Sequence, residues 1–450
     1  VGISDGRRMA VVGSGVSGLT AAWELRRAGC EVVLYEADKR LGGHAHTQDV
    51  IADDGRLLPL DTAFLVHNER TYPELIRLFG ELGVRTRDSD MSMSVRCRGC
   101  GLEYAGARGP VGLFARPSAL LRGRYLRMLT EVPLFHRRAR RLLESQDPEA
   151  DAVTLGRFLD EGGYSPYFRS HFVTPLVSAV WSCAPHLVGE YPARYLFAFL
   201  ANHGYLSVSG SPQWRTVVGG SRTYVQAVAE RLTAVHTGAP VRAVTRFGDR
   251  VEVTADDGGT SEYDGVVVAT HPDQALRLLA DATPAEREVL GAIPYSRNPT
   301  VLHRDASVLP RARGARASWN YLLPACGSDA GQVRVSYHLN RLLGLDTAED
   351  YLVTLNEEEG DRRVPEDLVV SRMVYEHPLY TRESVAAQRR LPELSAGRTA
   401  FAGAYHGWGF HEDGCRSGIA AAASLLGLPA PAGASGVSAG AGGGAGVPAA

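Results

Sequence analysis

Ala10-Val11-Val12-Gly13-Ser14-Gly15-Val16-Ser17-Gly18 is the stretch whose reading decides the fold. Three apolar residues form a short strand, and Gly13-x-Gly15-x-x-Gly18 turns from it into a helix through Leu25-Arg26-Arg27. Gly29 closes that helix, and Glu31-Val32-Val33-Leu34-Tyr35-Glu36 reads as a second buried strand, so the chain opens with a βαβ unit. Gly13 permits the tight turn, Gly15 lets a pyrophosphate approach the backbone, and Gly18 lets helix and strand pack closely. The helix start at Val16 and Ser17 offers unpaired N–H groups and a partial positive charge to phosphates. Glu36 is placed to accept bonds from a ribose diol and to repel a 2′-phosphate. A glycine pattern alone is weak in a chain with 50 glycines; the strand before it and the acid after it make it a dinucleotide fingerprint. FAD and NAD both satisfy it.

Outward from this unit, helical and strand patterns mix. Glu74 to Leu82 is amphipathic, 116–145 is helical and rich in arginine, and 241–254 alternates as a strand with a turn at Gly248-Asp249. Tyr263 to Thr270 is another buried strand, with further strands at 331–339 and 351–355. Arg398 to Ala402 is a strand, followed by an alanine-rich helix from about Gly414 to Leu426 and a glycine stop at Gly427. Residues 428–450 are Gly, Ala, Pro and Ser without periodicity, which predicts a disordered tail. The 450 residues carry a formal charge of −2, so no overall field attracts nucleic acid. No apolar run reaches membrane-span length, and a cytoplasmic location is expected. Six cysteines do not make a disulfide scaffold. Cys97 and Cys100 form an isolated C-x-x-C read as a hairpin turn; no second Cys/His pair has zinc-site spacing, so no metal is expected.

Arg40-Leu41-Gly42-Gly43-His44 follows Glu36 at once, and here the chain resembles the flavin amine oxidase-like superfamily. Phe401-Ala402-Gly403 with Glu412-Asp413-Gly414-Cys415-Arg416-Ser417-Gly418 is similar to the closing strand, loop and helix of that family. His44-Ala45-His46-Thr47, Asp61-Thr62-Ala63-Phe64, Asn68 to Pro73 and Gly407 to Gly414 resemble a bacterial branch of flavin-containing amine oxidoreductases over about residues 8–427. The resemblance implies an α/β fold: a Rossmann-like FAD/NAD(P)-binding domain with a discontinuous, amine oxidase-like substrate domain. The FAD domain is expected from 1–64, 205–290 and 385–427, and the substrate domain from 65–204 and 291–384. It implies noncovalent FAD, with contacts from Gly13, Gly15, Val16, Ser17, Gly18, Glu36, Ala37, Arg40, Gly42, Gly43, His44, Val241, Thr270, Gly403, Glu412, Asp413 and Ser417.

The chain departs from the amine oxidases in two ways. Many of them place a lysine near flavin N5, whereas the only lysine here is Lys39, in the turn after Glu36. His44 also replaces the usual arginine after the glycine pair. The groups left near the expected flavin are His44, His46, Tyr405, His406, His411 and Glu412, of which His411, Glu412, Tyr405 and His406 are the catalytic candidates. The expected activity is FAD-dependent dehydrogenation or oxidation, with hydride transfer from an apolar substrate such as an acyl chain or natural-product intermediate to flavin N5. An amine oxidase with another base, or a flavin-binding protein without catalysis, are the alternatives. Trp181 to Pro185 and Trp214 to Tyr224 are candidate pocket linings. Eight arginines in 116–141, interleaved with Leu120, Leu121, Tyr125, Met128, Leu129 and Val132, suggest a surface helix capable of peripheral contact with anionic lipid.

Overall fold

The computed structural model describes residues 6–206, 212–327, 333–357 and 363–429. From residue 430 the expected tail lies outside the described residues. β1 (Arg8–Val12) and β2 (Glu31–Tyr35) flank α1 (Val16–Arg27) and pair in parallel. Met9 to Val12 and Val32 to Tyr35 are buried, as strands covered on both faces must be. The parallel sheet runs, in spatial order, through Ala234–His236, β2, β1, Gly265–Val268 and Thr399–Phe401. The chain leaves β1 toward β2 and returns much later to the other side, at Gly265–Val268. That reversal opens a crevice at the carboxyl ends of the strands, where ligands bind in such sheets.

A second sheet holds seven strands among the described residues, ordered 369–378, 295–303, 352–355, 335–338, 319–323, 93–97 and 103–105. Its pairs are antiparallel except that Trp319–Leu323 runs parallel to Met93–Cys97. Helices between 109 and 202 cover this side. Smaller units are the meander 241–263 and the hairpin 47–61.

Three expectations need correction. The last helix begins at His411, three residues before Gly414, because the Asp413 carboxylate accepts the Phe410 N–H at 2.9 Å and closes the first turn. In the arginine-rich segment, Leu120 and Leu121 sit in a separate 3-10 turn and are exposed, while the helix Gly123–Glu144 buries Tyr125, Met128 and Phe135. The apolar residues of 116–141 therefore do not share one face. Cys97 and Cys100 do sit at the tip of the 93–105 hairpin, but they are not isolated: His171 and Cys326 meet them there.

Candidate functional site

One cleft, with a cavity of about 620 Å³, runs from the glycine turn to a group of aromatic side chains. At the turn, Gly13 has φ +101°, and a Cβ there would lie 2.7 Å from the Ala269 carbonyl oxygen. A Cβ on Gly18 would collide with the Gly13 carbonyl. A Cβ on Gly15 would meet no protein atom within 4 Å, although Gly15 lines the cavity. The three glycines thus differ: two are demanded by the protein's own packing, and one leaves room for something else. Glu36 accepts the N–H and hydroxyl of Ser14 at 2.9 and 2.5 Å and the Asp38 N–H at 2.9 Å, which fixes the turn against β2. Its carboxylate retains lone pairs for a further donor.

Of the sequence-predicted contacts, Gly13, Gly15, Val16, Ser17, Glu36, Ala37, Gly43, His44, Val241, Thr270 and Gly403 line this cleft. Gly18, Arg40, Gly42, Glu412, Asp413 and Ser417 are not among its lining residues. Arg40 instead donates to the Gly43 carbonyl at 2.8 Å, and Gly42 N–H donates to Ser14 at 3.0 Å, so both shape the cradle from behind. Lys39 is exposed beside Gly238, at the ribose-side turn.

The opposite wall is the loop 403–410 and the helix His411–Leu426. This helix lies against α1 because Gly414 and Gly418 carry no side chain: a Cβ on Gly414 would lie 2.5 Å from Val16, and one on Gly418 would strike the Ser17 carbonyl. Two helix N-termini therefore stand side by side at the cleft, both suited to anionic groups. The loop is pinned from outside. Tyr195 and Tyr380 donate to the Gly407 carbonyl at 2.8 and 3.0 Å, Gln388 donates to the Tyr405 and Gly407 carbonyls, and Trp181 donates to the Trp408 carbonyl at 3.0 Å. Tyr405 and His411 face the cleft; His406 is half-buried and is not a lining residue.

The four catalytic candidates separate accordingly. The Glu412 carboxylate accepts the N–H groups of Glu74 and Leu75 at 3.1 and 3.0 Å and so caps α2 (Pro73–Leu82). Burial raises its pKa to about 7, yet it is turned away from the cleft. His411 stacks on Phe64 at 3.7 Å, and burial, then His67, pushes its pKa down to about 3. At ordinary pH its imidazole is neutral, a weaker proton acceptor than a free histidine. Burial likewise pushes His406 down to about 4, and lowers His44, with help from His377. His46 bonds Tyr375 at 2.8 Å and is not a lining residue.

Beyond His411 the cleft is aromatic. Phe199 stacks on His203 and Phe410, with ring centres 4.1 and 5.0 Å away, and lies 4.7 Å from Trp181. Trp214, Tyr205, Trp319 and Tyr337 extend the wall. Trp181 and Trp214 belong to the two stretches singled out from sequence, whereas Phe199, His203, Trp319 and Tyr337 carry no local signal. Ser182, beside Trp181, has φ +51° in the left-handed region, a strained backbone that aims the turn into the cleft. Buried polar atoms facing the cavity have no protein partner: His44 Nε2, Tyr405 Oη, Trp408 Nε1 and His411 Nε2. Such groups need a ligand or water. Together with the open space at Gly15, they fit a long cofactor with a phosphate-bearing middle.

Residues 16–302 match the family model described as flavin containing amine oxidoreductase. Over 280 residues, 60% of this chain, it is 31% identical to a Mycobacterium tuberculosis protein assigned as a flavin-containing monoamine oxidase, AofH, and covers 58% of it. It is 29% identical over 295 residues to a carotenoid phi-ring synthase of Streptomyces griseus, covering 62% of this chain and 55% of that one. These alignments thus span less than two thirds of either relative's length. Among solved structures, wild-type putrescine oxidase bound to putrescine superposes with a TM-score of 0.65 at 18% identity, over 94% of this chain and 99% of that one.

Proposed function

The chain belongs to the flavin-containing amine oxidoreductase family, its cofactor is FAD, and from that premise we propose that it is an FAD-dependent oxidoreductase taking a hydride from an uncharged, apolar substrate. The observation that carries this reading is the aromatic group Trp181, Phe199, Trp214, Trp319, Tyr337 and Phe410 in the cleft wall; the charged lining residues are Glu36, which holds the Ser14 turn, Arg277, and Glu376, which faces His271 at 3.3 Å. The chain's only lysine, Lys39, lies beside Gly238, at the turn after Glu36. Acyl chains and natural-product hydrocarbons match such a wall by burial of apolar surface.

Bound FAD supplies the two-electron acceptor. The α1 N-terminus and the open space at Gly15 would receive its pyrophosphate, and Glu36 its ribose hydroxyls. Trp181, Phe199, Trp214 and Phe410 hold the substrate and exclude water. His411 and Tyr405 present unpaired polar atoms that orient the reacting partners. With His44 and His411 kept neutral, the chemistry best supported is dehydrogenation, in which a hydride leaves one C–H bond and the proton lost from the substrate passes to a neutral imidazole facing the cleft or to solvent. We propose that 1–64, 205–290 and 385–427 form the FAD domain and 65–204 and 291–384 the substrate domain, with Trp214 and Phe410 reaching the substrate from the FAD domain.

Amine oxidation is the second reading, supported by the names of relatives and by aromatic faces that attract cations. Two parallel assays separate the readings: peroxide release with a panel of amines, and anaerobic bleaching of the flavin with acyl and isoprenoid substrates. Bleaching by the uncharged panel alone is expected; turnover restricted to amines contradicts the proposal. We also propose peripheral contact with anionic lipid at the exposed Leu120 and Leu121 beside the arginines of 116–141. Co-sedimentation with anionic liposomes at low salt is expected, and no binding there contradicts it. Among the described residues no helix is long and apolar enough to cross a membrane.

A further inference from the structure

Cys97, Cys100, His171 and Cys326 bring one ligand atom each to within 4.8 Å of one another, remote in sequence yet adjacent in space. Cys97 Sγ lies 3.6 Å from Cys326 Sγ, and His171 Nε2 lies 3.6 Å from Cys100 Sγ and 3.8 Å from Cys326 Sγ. A tetrahedral zinc ion, with Zn–S of about 2.3 Å and Zn–N of about 2.0 Å, needs sulfur–sulfur edges of about 3.8 Å and sulfur–nitrogen edges of about 3.5 Å. The three edges given above match this geometry, and the remaining pairs lie within 4.8 Å. We propose that these four side chains form a structural Cys3His zinc site.

The surroundings are built for it. His171 Nδ1 faces the Tyr167 carbonyl at 3.2 Å and the Ser170 hydroxyl at 2.8 Å, which leaves Nε2 to carry the lone pair toward the thiols. His171 occupies a π-helical turn, Arg169–Val173, and its carbonyl accepts the Tyr104 hydroxyl at 2.7 Å, tying that turn to the hairpin. At the hairpin tip, the N–H of Cys100 serves the Cys97 sulfur and that of Leu102 the Cys100 sulfur, as thiolates require. Gly99 has no side chain because a Cβ would lie 2.7 Å from the Cys326 backbone nitrogen. Three thiolates and a dication leave one negative charge, and Arg122, donating to the Cys100 carbonyl at 2.7 Å, stands beside it. All four positions are protein ligands, so the site is closed and does no chemistry of its own.

Its consequence reaches the cleft. Cys97 pairs with Leu323 on the strand that carries Trp319, about 13 Å away at about 3.3 Å per residue. His171 precedes Trp181 on a continuous helical run, about 15 Å away at about 1.5 Å per residue. The ion thus staples two elements that present tryptophans to the substrate end. Elemental analysis of tag-free, FAD-loaded protein grown with zinc should find one zinc per chain that survives dialysis against EDTA. Cys100→Ser and Cys326→Ser should each lower zinc affinity at least about tenfold while flavin content stays. Cobalt-substituted wild-type protein should show thiolate-to-cobalt charge transfer with a tetrahedral ligand field, a test independent of whether the variants fold. Zinc-free protein, a Cys97–Cys326 disulfide in its place, zinc unchanged in both variants, or cobalt without thiolate bands overturns the proposal.

Discussion

The two ends of the cleft are made in opposite ways. The glycine end is built largely from backbone: a turn and two helix N-termini, with the Glu36 carboxylate, from residues 12–44, 239–241, 269–271 and 403–411. The aromatic end is built from side chains that converge from Phe64 to Phe410 on several elements. Backbone cradles tolerate little change because their geometry is covalent, whereas an aromatic wall can be altered ring by ring. The first kind of site holds an invariant cofactor; the second is where substrate choice resides.

Gly15→Val has the largest expected effect. Its side chain enters the space left by the protein, so FAD affinity should fall at least about a hundredfold, on the order of 3 kcal/mol, while the melting temperature of the apoprotein holds. Titration of FAD into apoprotein checks it. Next, Trp181→Phe keeps a ring but leaves the Trp408 carbonyl without its donor. Here kcat/KM should drop about tenfold with flavin content intact, through a loss of about 1–2 kcal/mol. Loss of flavin instead would mean that the two ends are not separable.

Smaller effects sharpen the assignment of His411 and Glu412. The pKa of His411 is depressed to about 3 in the fold, so the stability tied to its neutral form is complete above its unfolded value of 6.5 and lost as pH falls toward 3. His411→Phe should therefore reduce the acid-side slope of urea stability by up to about one proton. For Glu412 the sign is opposite: a carboxyl raised from 4.5 to about 7 loses its stabilising contribution as pH rises through that window. Glu412→Gln should cost about 1 kcal/mol through the weakened cap on α2, more near about pH 5 than near about pH 8, with turnover per flavin unchanged. A large fall in turnover would return Glu412 to the chemistry.

The βαβ opening was legible because its signals are local: Gly13, Gly15, Gly18 and Glu36 lie within one unit and each meets a backbone requirement. The closing helix was legible as an element but not in its contacts. Gly414 and Gly418 look like ordinary helix glycines until α1 is seen packed against them. Glu412 sits in the right motif, yet its direction depends on α2 arriving across the fold, which spacing does not report. The aromatic wall has no period at all, since Phe199, Trp319 and Tyr337 meet only through the second sheet and its covering helices. Cys97 and Cys100 illustrate the same limit: a search for a second pair misses ligands that arrive singly, as His171 and Cys326 do.

FAD and substrate are expected to share one cleft from opposite ends. The structure of the FAD-loaded protein with an uncharged substrate analogue tests it most directly. Pyrophosphate is expected against the Ser14–Val16 backbone, ribose at Glu36, and the analogue among Trp181, Phe199 and Trp214. A flavin ring beside Lys39, or an analogue bound outside the aromatic wall, would contradict it.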